Sequence, residues 1–158
     1  EAMEEKTNVM RMLDQKKINY KSHYYGDSGA VSGLEVARVL GEDPSRVFKT
    51  LVTEGKSRNY YVFVIPVAEE LDLKKSAKAV GEKSVEMVRS KELLPLTGYI
   101  HGGCSPIGMK KYFKTTVDLS ADNKDTIYVS AGKIGCQIEI RLEDLKRMIR
   151  IEMADLTI

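Results

Sequence analysis

Apolar side chains recur along this chain at two spacings, and the switch between them marks out the elements. Residues 8–17 place Val9, Met12 and Leu13 on one side of a helix with charges opposite, which predicts an amphipathic helix. The stretch INYKSHYY (18–25) then alternates. Ile18, Tyr20, Ser22 and Tyr24 point one way, as in a half-buried strand closed by Gly26, Asp27 and Gly29. Ser32 is placed to cap a helix carrying Leu34, Val36, Ala37 and Leu40, which stops at Gly41. Asp43-Pro44-Ser45 starts a short helical turn. VFKTLVTE (47–54) and NYYVFVIPVA (59–68) read as strands joined in a hairpin by Gly55-Lys56-Ser57-Arg58. The second is apolar on both faces, hence central, and Pro66 ends it because proline cannot donate to a ladder.

Asp72 caps a helix through Val80, with Leu73, Ala77 and Val80 toward the core and Lys74, Lys75 and Lys78 outward. A short strand is expected at Val85-Glu86-Met87, and a helix capped by Ser90 containing Leu93 and Leu94. After the basic strip MKKYFK come three strand candidates, TTVDL (115–119), TIYVS (126–130) and QIEIR (137–141). A closing helix spans 144–148. Strands and helices mix without a regular βαβ rhythm, which predicts a mixed α/β sheet rather than a doubly wound one.

The 158 residues suit one domain, taken as 1–158, able to fold without disulfides. Two cysteines, Cys104 and Cys136, are too few for a disulfide framework and lack metal spacing, so a reducing cytoplasm is expected. No stretch approaches the roughly 20 apolar residues that span a bilayer, and no signal peptide is recognised. The overall charge of +2 hides an asymmetry. From Arg46 to Lys114 there are 13 Lys/Arg against 7 Asp/Glu, a local +6, so the remainder carries −4. A basic middle suits phosphate, or else is a solvated lysine-rich surface.

Three features could carry chemistry. GGCSPIG (102–108) holds Cys104 between glycines and a Ser-Pro pair. A thiol nucleophile needs a base and a lowered pKa. His101 stands three residues away, no third group is evident, and a packed loop residue is the stronger reading. Two His and two Cys make no zinc set. Gly102 and Gly103 let a ligand approach the main chain, and consecutive N–H groups there can bind an anion or an oxyanion; the alternative is an ordinary tight turn. SAGKIG (130–135) has the composition of a phosphate loop but lacks GxxxxGK[ST]. Lys49, inside an apolar strand, either snorkels to solvent or offers a fixed cation in a cleft.

In order and spacing, VFKTLV, IPVAEELDLKKSAKAVG, VEMV, TGYIHGGCSPIG and IYVSAGKIGCQIEI resemble the YbaK family of aminoacyl-tRNA deacylases, relatives of the editing domain of bacterial prolyl-tRNA synthetase. The resemblance covers about residues 9–150. It implies a mixed, curved, barrel-like sheet flanked by helices. It also implies a trans-editing hydrolase acting on mischarged aminoacyl-tRNA, above all Cys-tRNA(Pro) or another small amino acid, without metal or cofactor. Prolyl-tRNA synthetase is the associated partner. The family lysine falls on Lys49, followed by Thr50. The Gly-x-x-x-Pro loop falls on Gly102 and Pro106, with Gly103 alongside. The VSxGK serine falls on Ser130, with Gly132 next in the motif, and a family tyrosine falls on Tyr25, with Tyr24 the alternative. Lys49, Gly102, Gly103 and Ser130 are thereby expected to be catalytic, and Tyr25, Thr50, Pro106, Gly132 and Gln137 to bind substrate. Two departures stand out: Gln137 occupies the place of the aspartate in RGLDIEL, and Cys104 that of an aliphatic residue. They keep open a second reading, a catalytically weak module that binds tRNA or a synthetase.

Overall fold

The computed structural model describes residues 5–26, 28–30 and 32–158. Residues 1–4 and Asp27, the middle of the expected strand-closing turn, lie outside the described residues. The helices are α1 (Asn8–Gln15), α2 (Gly33–Leu40), α3 (Leu73–Val80), α4 (Ser90–Thr97) and α5 (Leu142–Met148). The strands are β1 (Lys21–Tyr24), β2 (Phe48–Gly55), β3 (Tyr60–Pro66), β4 (Val85–Met87), β5 (Lys114–Asp118), β6 (Ile127–Lys133), β7 (Cys136–Ile140) and β8 (Ile151–Ala154).

The described strands form two sheets. One has the order β1-β7-β6 and the other β4-β2-β3-β5-β8, with β3, β5 and β8 parallel to one another. A lone parallel bridge between Val47 and Tyr128 draws β2 against β6 and links the sheets. The main core fills the space between them. Ile138, Ile140, Val129 and Ala131 meet Phe48, Val52, Val62 and Val64 there, closed by Val9, Met10 and Leu13 of α1. A second cluster packs Phe63 and Ile65 of β3 against Ala77 of α3, so β3 is covered on both faces, as its sequence implied.

Local chemistry sets the ends of the elements. Ser32 accepts from the Glu35 N–H while Glu35 reaches back to the Ser32 N–H, a full capping box that starts α2. Asp72 caps α3 through the amides of Lys74 and Lys75. Ser90 is the first residue of α4 and Arg89 its cap position, one residue earlier than expected. Leu73 is 41% exposed, contrary to expectation. It opens the first turn of α3, and the face turned inward there holds Ser76, whose hydroxyl donates to the Asp72 carbonyl. The expected strand at 18–25 is shorter at its start, because Lys17 takes a positive φ of 57° and pairing with β7 begins only at Lys21. β8 was not anticipated. Its ladder partner among the described residues is β5, and its end is fixed where the buried Asp118 accepts from the Leu156 N–H.

Candidate functional site

Directly opposed residues of antiparallel strands share a face. On the outer face of the three-stranded sheet, His23, Gln137 and Ser130 therefore form one cross-strand row, and Lys21, Glu139 and Tyr128 the next. The inner face of the same strands belongs to the main core. α2 covers part of the outer face, with Ala37 packed on Tyr128, Val47 and Val67. Tyr24 turns inward, its hydroxyl against the Met10 sulfur at 3.9 Å. Tyr25 directly follows β1, its N–H donating to the Gly135 carbonyl at 2.8 Å. With Tyr24 turned inward, strand alternation assigns the outer side to Tyr25.

Lys49 reaches this face from the other sheet. Two residues beyond the Val47–Tyr128 bridge, along each strand, stand Lys49 and Ser130. The half-buried Lys49 amine donates to the Val67 carbonyl at 3.3 Å. Burial lowers its pKa, and the charges of Glu70 and Glu69 oppose that shift. The result is a cation held at the junction of the sheets by one main-chain oxygen. Thr50 is not brought to the same face. Alternation sends it inward with Phe48 and Val52, where its hydroxyl is buried without a partner among the described residues. Strand geometry thus separates the side chains of Lys49 and Thr50.

Ser130 accepts from the Gly132 N–H at 3.1 Å, and the ladder shifts register between Ser130 and Lys133. The bulge is possible because Gly132 takes φ +95°, and a Cβ there would lie 2.9 Å from the Tyr99 ring. The glycine turn at 102–103 docks on the tip of this hairpin. A Cβ on Gly103 would sit 3.1 Å from the Ile134 nitrogen, so only glycine allows the two backbones this approach. The Gly103 N–H donates to the Ile100 carbonyl at 3.0 Å and thereby closes the turn. Gly102 is exposed, while Pro106 and Ser105 are buried behind it. Tyr99 fastens the loop: its hydroxyl donates to the Ile107 carbonyl at 2.5 Å. Burial, helped by nearby Cys104, pushes its pKa up to about 12. The sequence reading passed over Tyr99, although it lies inside the TGYIHGGCSPIG stretch.

Cys104 is buried in the main core, and burial raises its thiol to about 12. His101 is exposed on the turn. A thiol protonated this firmly is not a nucleophile at neutral pH. The backbone and the lysine, not the cysteine, are what the loop region presents.

The other overlooked group is Glu42, directly after the glycine that ends α2. Gln137, 5% exposed, is satisfied with its amide nitrogen toward Glu42, both carboxylate oxygens lying 3.0 Å away. Burial pushes Glu42 up to about 7, aided by Glu139, against the lowering influence of His23, Gln137 and Arg46. Beside it, His23 bonds Glu139 at 3.0 Å and Arg46 approaches Glu139 at 3.6 Å. Burial alone would raise Glu139, but hydrogen bonds from Thr126 and His23 outweigh it and leave its pKa lowered. One surface hollow of about 440 Å³ lies away from this face, beside Glu54, Lys56 and Glu86; another, of about 280 Å³, shares Lys21 and Glu139 with it and is lined also by Tyr20 and Arg141. Lys49, Ser130 and Gln137 line neither. No group of three metal-ligating side chains occurs among the described residues, and none of the described helices is long and apolar enough to cross a membrane.

Comparison with known proteins agrees with this architecture. A protein assigned as a Cys-tRNA(Pro)/Cys-tRNA(Cys) deacylase, EbsC of Enterococcus faecalis, is 48% identical over 155 residues, which cover 98% of this chain and 94% of that protein. Two crystal structures share the fold. A hypothetical protein superposes with a TM-score of 0.86 at 22% identity, covering 95% of this chain and 99% of its own. A protein described as a trans-editing enzyme for prolyl-tRNA synthetase superposes with 0.81 at 21% identity, covering 96% and 98%. The family model of the aminoacyl-tRNA editing domain matches residues 28–148, and the chain belongs to that family.

Proposed function

We propose that this protein hydrolyses the ester of mischarged aminoacyl-tRNA in trans, above all Cys-tRNA(Pro). Water enters the ester bond, the amino acid leaves as a carboxylate, and the terminal ribose hydroxyl is restored. One observation carries the reading: Lys49, Ser130 and Gln137 share one face, and the glycine turn docks on the same hairpin as Ser130. An aminoacyl ester is already activated, so its hydrolysis needs positioning and charge stabilisation more than a protein nucleophile. Lys49 supplies a fixed positive charge for the terminal phosphate or the developing oxyanion. Because Gly103 uses its amide to close the turn, the exposed Gly102 is the donor offered to that oxyanion. Ser130 and Tyr25 flank the ribose and the amino acid, while Gly132 and Pro106 shape the walls. The first attack on the carbonyl comes from water, from the neighbouring ribose hydroxyl or from the substrate's own thiol; in the last two cases the acyl group passes to that oxygen or sulfur, and water then opens the new ester or cyclic thioester, so no cofactor is required. The whole chain acts as one editing domain in the cytoplasm, beside prolyl-tRNA synthetase.

Incubation with Cys-, Ala- and Pro-charged tRNAs tests this reading. Turnover of the cysteinyl ester is expected. Lys49→Ala is expected to abolish it, whereas Cys104→Ala and Cys104→Ile retain most activity. Binding of tRNA without hydrolysis of any of the three esters would instead support a non-catalytic binding module. The replacement of aspartate by Gln137 is the observation that favours that second reading.

A further inference from the structure

Gln137 and Glu42 form a unit that the function proposed above does not explain. Gln137 lies between His23 of β1 and Ser130 of β6, in the middle of the outer row. A carboxamide has two ends that look alike in shape and opposite in hydrogen bonding. Which end faces the substrate depends on what holds the other. Here both oxygens of Glu42 lie 3.0 Å from the Gln137 nitrogen, and with that end engaged the Gln137 oxygen faces donors.

We propose that Glu42 is a positioning residue of this site: its carboxylate grips the Gln137 nitrogen and so fixes the Gln137 oxygen as the acceptor for the α-ammonium of the aminoacyl ester. The proposal rests on the deacylase reading for the identity of that ammonium; the coupling of the two side chains does not depend on it. Every aminoacyl ester carries an α-amino group, and an uncharged acceptor reads it without a second negative charge beside Glu42. In the resembling sequences the aspartate at this position would bring a carboxylate directly to the row. In this chain the charge sits one hydrogen bond further back, on the end of α2.

The arrangement has a chemical consequence. A protonated Glu42 becomes a donor, and the stable partner for it is then the Gln137 oxygen, so the carboxamide turns over. The groups facing Glu42 are His23 from β1, Gln137 and Glu139 from β7 and Arg46 from the short turn before β2. Burial places the Glu42 transition near neutrality, at about 7.

Side-chain ¹⁵N spectra of Gln137, followed from about pH 5 to about pH 9, test this directly. The Gln137 amide is expected to shift with a midpoint near 7 in the wild type. In Glu42→Gln it is expected to stay constant over the same range. A Gln137 signal that stays constant in the wild type, or that shifts alike in both proteins, overturns the proposal, and a constant wild-type signal overturns it even if the variant does not fold. In kinetics with Cys-tRNA(Pro), kcat/KM of the wild type is expected to rise through the same midpoint. The variant is expected to lose that inflection and to run about ten- to a hundredfold lower above it, the worth of one hydrogen bond to a charged group. If the amide titrates as described but no charged tRNA is hydrolysed, the Glu42–Gln137 coupling stands and the deacylase reading falls.

Discussion

Glu42 keeps its proton at a pH where ordinary carboxyl groups have lost theirs, and that has a sign for stability. Its folded pKa, about 7, lies above the value of 4.5 that it has free of the fold. Between those values the native state holds a proton that the unfolded chain has released. Stability from this group is complete below about pH 4.5 and declines as pH rises through 7. Glu42→Gln removes the slope. Its Tm relative to wild type is expected to be higher at about pH 8 than at about pH 5, read from paired thermal melts. A difference independent of pH would contradict the burial that sets the shift. Glu42 was not legible in the sequence, because an acid directly after a helix-ending glycine reads as solvated, and its partner Gln137 is far along the chain. Lys49 and Gly102 drew notice by themselves, as a cation in an apolar strand and as a side-chain-free turn, whereas Ser130 was singled out by the order of motifs. Cys104 could be weighed correctly, since one thiol with no committed base is more often packing than chemistry.

α2 shows when a segment announces itself. Ser32, Glu35 and Gly41 lie within ten positions, and each acts on backbone groups a few residues away. β8 is the opposite case. Its residues make their ladder with a parallel strand distant in sequence, and their burial does not alternate cleanly, so no local signal marks it. The loop at 104–108 falls between these cases: its glycines and proline marked a turn, but the anchor is Tyr99. Tyr99→Phe keeps the ring under Gly132 and removes only the bond to Ile107. It is expected to cost about 1 kcal/mol. It is also expected to speed amide exchange across residues 104–108 and lower kcat/KM more than kcat, as a looser loop binds substrate less well. Unchanged exchange in that segment would remove Tyr99 from this role.

The mixed α/β class followed from the irregular interleaving of strands and helices, and the central place of β3 from its run of apolar residues. The split into two sheets did not, because it depends on how β6 meets β2 through the Val47–Tyr128 bridge. At the far edge, Asp118 does for the five-stranded sheet what a cap does for a helix, accepting from both Ser120 and Leu156 amides. Asp118→Ala leaves buried donors without a partner and is expected to destabilise the protein by about 1–3 kcal/mol, measured by urea unfolding. A change within about 0.5 kcal/mol would show that water replaces the carboxyl. The two faces of β2 carry a last implication. Slipping that strand by a single residue against its neighbours would drive the Lys49 ammonium into the oily gap between the sheets and leave a threonine at the mouth. An unpaired ion there costs several kcal/mol, so the Lys49 charge penalises misaligned hairpins while the chain is folding.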